Sequence, residues 1–312
     1  VLGGRVSDIQ GKLTNSCIDN GACSAYAATS KVILINPAGV LFGAGSSVDL
    51  NSFTVSTFDF KGAKNLKGMS DSEMAAYQTG VLNKFSPNPD VNGENRRYGS
   101  ITFDSNYTKA FKEAGVSFKK GETLISLDGT TFAHFNEDGT INEANPNKTI
   151  ALVSDNIKYK DSLLRTGGNH NYITPNNAQS FSNVRLITAD GVTFDYLANG
   201  YADTYQIAED TKTDVVRNIS IDNSGLAADK EAIRSGDVHI VNKSNAIGSN
   251  VKISNSVIKG TKLVNKENGD IMIVGSQDVL VDNSRLETVN TSVTTNGTKY
   301  TTEGQNGGEA FI

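Results

Sequence analysis

The sequence has no tryptophan, two cysteines, three histidines and five prolines. The histidines, His134, His170 and His239, are too scattered for a zinc ligand set or a Ser-His-Asp arrangement. Positive charge is not in excess either. Against 34 Asp and Glu stand 29 Lys and Arg, a net charge of −5, and no segment gathers the basic residues, which argues against nucleic-acid binding. Long apolar runs are missing. The most apolar stretch, KVILINPAGVLFGAGSSVDL from Lys31 to Leu50, is interrupted in its middle, whereas a membrane-spanning helix needs about 20 consecutive apolar residues. No phosphate loop or dinucleotide fingerprint is present, so no cofactor is expected. No stretch reads as a secretion signal, and the chain starts at Val1 without methionine, so it is expected to be processed or truncated.

What is abundant is Asn, Ser, Thr and Gly, a composition that favours strands and turns over helices. The interruption in the apolar stretch is itself a turn. Pro37 presets φ at a first central position, Asn36 can accept backbone bonds ahead of it, and Gly39 suits the fourth place of a type I turn. Two strands joined by a tight corner are therefore expected.

An internal repeat organises the second half. ISIDNSGL begins at Ile219, VKISNSVI at Val251 and VLVDNSRL at Val279; IKYKDSLL at Ile157 fits the same frame, and VTFDYLAN at Val192 fits it loosely. A second strand precedes most copies, as in TIALV, NVRLIT, DVHIV and DIMIV, and GEAFI near the end starts one more. Recurrence at roughly thirty residues is the mark of a solenoid. The expected fold is an all-β parallel β-helix, with Ile219, Ile221, Val251, Ile253, Val279 and Val281 inward and Lys252, Ser254 and Asp282 outward. The recurring Asn223, Asn255 and Asn283 stand where strands end and are read as a structural ladder that satisfies turn amides.

Gly3, Gly4, Ser7, Ile9 and Gly11, followed by Asn36, Pro37, Gly39, Phe42 and Gly43, strongly resemble the amino-terminal secretion domain of two-partner-secretion exoproteins. That group includes filamentous haemagglutinin, related haemolysins and high-molecular-weight adhesins of Gram-negative bacteria. The resemblance covers residues 1 to 60 and returns in residues 149 to 168. Ala38 replaces the family's usual second Asn, and the family's upstream cap would lie before Val1. The resemblance implies a right-handed β-helix and export across the outer membrane through a barrel partner with periplasmic recognition domains. It also implies a secreted or surface location, and host or neighbouring-cell glycans or proteins as adhesion targets. Asn36 to Gly39 would then be a structural corner or a point of transporter recognition. The same secretion domain also precedes cytolysins and contact-dependent toxins, whose activity would lie beyond Ile312.

Residues 61 to 148 break the repeat and read as excursions: a short helix around 69–85 capped by Ser70 or Asp71, and hairpin-like strands around Asp128-Gly129 and Asp138-Gly139. Regular coils are expected from 149 to 312. Cys17 and Cys23 flank an Asn20-Gly21 turn that could close a small disulfide loop; two free thiols or a metal site are the alternatives. Asn-x-Ser/Thr sequons occur at Asn106, Asn147, Asn218, Asn242, Asn290 and Asn296. A carbohydrate-active enzyme is the rival from another class, since polysaccharide lyases share the solenoid. Its candidate groups are Asp190 with Asp195, Asp214 with Arg217, and Asp237 with His239. They form no converging acid and base pair, and Asp237 aligns with Asp270 of another coil as a turn residue.

Overall fold

The computed structural model describes residues 4–14, 31–50, 52–60, 68–84, 97–105, 121–136, 138–141, 149–166, 169–171, 179–180, 183–197, 202–208, 214–263, 269–290, 293–295, 298–300 and 310–312. The fold is mostly β and rests on three parallel sheets. The chain visits them in a fixed cycle. Asp237–Asn242 lies in the third sheet, Asn250–Ser254 in the first and Val257–Leu263 in the second, before Ile271–Gly275 returns to the third. The first sheet runs in order from Ser7–Ile9 through Val40–Phe42, Leu124–Asp128, Asn156–Lys160, Asn218–Asp222 and Asn250–Ser254 to Asp278–Asp282.

Register explains the stack. Ile221 pairs with Ile253 and Ile253 with Val281, while Ile219, Val251 and Val279 form the neighbouring column. Because side chains alternate across a strand, parallel in-register pairing puts like residues one above another. The columns continue back through Ile157 and Tyr159 to Ile125 and Leu127, and then to Val40 and Phe42. All of these earlier residues are buried in one continuous core. Phe42, Phe53 and Phe132 meet inside it, with ring centroids 5.0 to 6.1 Å apart. Tyr159 fills its column without leaving a polar atom stranded, since its hydroxyl donates to the carbonyls of Ser162 and Ala232. Burial pushes that hydroxyl's pKa well up, so it stays a donor.

Several expectations need correction. Gly191–Leu197, read loosely as a coil strand, instead pairs antiparallel with Arg97–Asp104 on one side and Ala202–Ile207 on the other. With Asp59–Phe60 these make a four-stranded lateral sheet. An alternating pattern reports one buried face and says nothing of strand direction. The block 61–148 is not wholly excursion: Leu124–Asp128 belongs to the first sheet and Thr131–Phe132 to the second. Asp128-Gly129 is accordingly a corner between sheets, not a hairpin. Asp138-Gly139 does close a turn, bracketed by the antiparallel bridge Phe135–Ile141. Ser254, expected outward, is buried.

The helix Asp71–Lys84 starts as its first turn dictates. Ser70 Oγ accepts from the Glu73 amide, and the Glu73 carboxylate accepts from the Ser70 amide, a reciprocal cap. Among the described residues no helix is long and apolar enough to cross a membrane. Cys17 and Cys23, with Gly3, lie outside the described residues.

Candidate functional site

The corner at Asn36 joins the third sheet to the first. Lys31–Ile35 ends at Asn36, and Val40–Phe42 begins after Gly39. The Gly39 amide donates to the Asn36 carbonyl at 2.9 Å, and the Ala38 amide donates to Asn36 Oδ1 at 3.0 Å. The side chain thus closes a turn within the turn, the usual use of Asn at such a place. Its other end reaches across to the preceding strand: Asn36 Nδ2 donates to the Arg5 carbonyl and to Ser7 Oγ, each at 2.8 Å. Asn36 is 1% exposed. Gly39 has φ of +115°, and a Cβ there would stand 3.1 Å from the Leu124 carbonyl, so the close approach of three strands requires glycine.

The remaining motif residues follow along the next strand and its first-sheet neighbour to the corner after Phe42. The Ser7 amide donates to the Gly39 carbonyl, the Gly43 amide to Ile9, and the Ser47 amide to Gly11. A Cβ on Gly43 would collide with the Gln10 side chain, which itself donates to Asp8. Gly4 takes a left-handed conformation at φ of 64°. Phe42 buries its ring in the core directly after the turn. Gly4, Ser7, Ile9, Gly11, Asn36, Pro37, Ala38, Gly39, Phe42 and Gly43 therefore form one neighbourhood, although up to 39 positions separate them (43 − 4).

Asn242 repeats the arrangement far along the chain. Its Oδ1 accepts from the Ser244 amide at 3.0 Å, and its Nδ2 donates to the carbonyls of Arg217 and Asn250. It too is 1% exposed. Between these two asparagines the same corner carries Thr57 and Ser154, whose hydroxyls bond to each other at 2.9 Å, and Thr188, which is in register with Asn242. The frame VNKSN around Asn242 echoes INPAG around Asn36 in placing Asn after an apolar strand. That was the signal available for this buried polar column, which the repeat at Asn223, Asn255 and Asn283 obscured.

That second set splits. Asn255 and Asn283 have φ of 50° and 43°, and Asp161 in the same frame has 44°. Asn283 Nδ2 donates to Asn255 Oδ1 at 2.7 Å, and Asn255 Nδ2 to Asp222 at 3.0 Å, an exposed ladder. Asn223 does not join it. Its side chain turns inward, accepting from the Ser162 amide and donating to the Ser162 carbonyl. The longer connection from Asp222 to Glu231 lets its backbone leave the tight left-handed corner.

The groups weighed for catalysis are held in other arrangements. Arg217, 0% exposed, donates to Asp155 at 3.1 Å and to Asp190 at 2.7 Å, a buried ion triad. Asp214 is exposed. Asp195 sits at a bulge of the lateral sheet. His239 Nδ1 lies 2.9 Å from the Tyr205 hydroxyl, and burial together with Arg185 pushes its pKa down to about 3, so it stays neutral. Asp237 lies 4.0 Å from Arg185 and accepts from the Asp270 amide, as a turn residue would. His134 faces Asp49 at 2.9 Å. Among the described residues no three His, Cys, Asp or Glu side chains converge for a metal. Asn242 also spends its amide inside the fold, which leaves that sequon no free nitrogen in the folded state. No family model matches the chain, and no curated protein matches it.

Proposed function

We infer that this chain is the secretion-targeting and scaffold module of a large surface-exposed or secreted adhesin, exported through an outer-membrane barrel partner. The three-sheet cycle is read as the coil of a right-handed parallel β-helix. The observation that carries the reading is that the motif residues from Ser7 to Gly11 pair with those from Gly39 to Gly43 along adjacent strands, with Asn36 tying the first of the two corners to Arg5 and Ser7. A stack of coils also suits export of an unfolded chain, since each coil can add to the last as it emerges. Of the groups weighed for an enzyme, Asp190, Arg217, Asp237 and His239 serve as internal ties, which favours a scaffold over a lyase or hydrolase.

The test expresses the chain with a barrel partner of the two-partner-secretion type and replaces Asn36 and Pro37 by Ala. Surface display should fall while intracellular full-length protein remains. The control is Asn242→Ala, which breaks the equivalent corner away from the motif. A fall in both assigns Asn36 to folding, a fall in the first alone assigns it to transporter recognition, and display that never depends on a barrel partner ends the reading. Depolymerisation of acidic or neutral polysaccharides by the purified chain, lost on Asp195 or Asp214 substitution, would establish the enzyme instead.

A further inference from the structure

The described residues form two separate apolar cores. The larger fills the space between the three parallel sheets. The smaller lies between the outer face of the third sheet, through Ala151, Val153, Ile187 and Ala189, and the lateral sheet, through Ile101, Phe103, Val192 and Phe194. Besides this core, polar ties hold the lateral sheet to the coils at two places. At its root, the Ser105 amide and hydroxyl donate to the Asp190 carbonyl and carboxylate; within the coils beside it, Gly121 and Thr123 donate to Asp155. Arg217 bridges both carboxylates and is itself anchored in the coil corner, where its amide donates to Ser249. At the far edge, Tyr205 meets the His239 ring and stacks under Arg185, 5.7 Å away.

We propose that the lateral sheet is a lid that opens as one unit while the three parallel sheets stay folded, with Arg217 as its clasp. The two cores share no side chains, so loss of one does not remove the packing of the other. Of the two carboxylates that Arg217 holds, Asp190 marks the point where the chain leaves the third sheet for the lateral sheet, and Asp155 lies at the coil corner between Thr149–Val153 and Asn156–Lys160. Removing a buried guanidinium leaves two carboxylates without their cation, a far larger penalty than the loss of one hydrogen bond. Lid opening bares a strip of small and branched side chains on the outer face of the third sheet.

Native-state hydrogen exchange on the whole chain tests this. In the wild type, amides of Arg97–Asp104 and Gly191–Leu197 should exchange through a common opening, at least about tenfold more frequent than that of Asn156–Lys160 and Asn218–Asp222. Arg217→Met should speed exchange in the lid strands by a further factor of about ten and leave the second-sheet strands Leu163–Arg165 and Val257–Leu263, away from that corner, within about twofold. Should Arg217→Met not fold, Ser105→Ala and Tyr205→Phe, which each remove one hydroxyl tie, decide the matter: about threefold faster exchange in the lid strands alone supports the clasp. Equal acceleration in lid and coils, or one shared opening for both in the wild type, overturns the proposal.

Discussion

Asn36 and Asn255 each stand one residue beyond a strand of a parallel sheet, yet one is buried and the other exposed. At Asn36 the side chain is needed for its atoms: its buried Oδ1 and Nδ2 satisfy one amide, one carbonyl and one hydroxyl. At Asn255 the residue is needed for its backbone, which takes φ of 50° where most side chains clash. The same amino acid in the same kind of place thus answers two different demands. One corner turns on hydrogen-bond satisfaction, the other on conformation. If the distinction holds, substitutions should sort by corner and not by residue type.

The largest effect is expected at Asn242. Alanine there leaves the Arg217 and Asn250 carbonyls and the Ser244 amide short of a partner in a buried corner, each such loss costing about 1–3 kcal/mol. Urea denaturation of Asn242→Ala should show a total loss of about 3 kcal/mol or more. A change below about 1 kcal/mol would mean that water enters the corner, and would erase the contrast.

Asn223 sharpens the comparison because its sequence frame belongs with Asn255 while its environment belongs with Asn36. It is 2% exposed and has no left-handed backbone. Asn223→Gly should therefore cost about 1–2 kcal/mol, since glycine cannot bond the Ser162 amide and carbonyl. A neutral outcome would return Asn223 to the exposed ladder.

Much of this architecture was legible in the sequence, and the limits have physical causes. The columns at Ile219 and Ile221, Val251 and Ile253 could be read because parallel in-register strands repeat their inward residues. The corner at Asn36 was legible because turn chemistry is local. Strand direction at Val192 was not, since alternation is the same for both directions. Nor was the coil strand at Ile125, because an insertion before it spoils the period. The triad of Asp155, Asp190 and Arg217 joins residues up to 62 positions apart (217 − 155), and no pattern within one strand announces it. The second sheet escaped for a related reason. Its early strands, such as Thr131–Phe132, are two or three residues long, too short for alternation to register.

A smaller effect is expected when the exposed ladder is cut by alanine. Asn255→Ala places a Cβ at φ of 50° without the local hydrogen bonds that let Asn tolerate it, so a cost of about 1 kcal/mol should appear. The matching change at Asn283, φ of 43°, should cost about the same, because its demand is the same. A value near that of Asn242→Ala at either position would show that the ladder bonds, and not the conformation, hold this corner.

The smallest effect belongs to Asn255→Gly. Glycine adopts φ of 50° with no steric penalty, which recovers what alanine loses. Against that stand the exposed bonds to Asp222 and from Asn283, of which each competes with water and contributes little, and the greater freedom of glycine in the unfolded chain. These terms nearly cancel, so the midpoint should move by no more than about 0.5 kcal/mol in either direction. The comparison then rests on one ratio. Glycine should rescue most of the alanine loss at Asn255 and none of the corresponding loss at Asn36, where the missing atoms are the amide group itself. Equal rescue at both corners would show that backbone conformation governs the buried turn as well, and the division drawn between the two asparagines would fall.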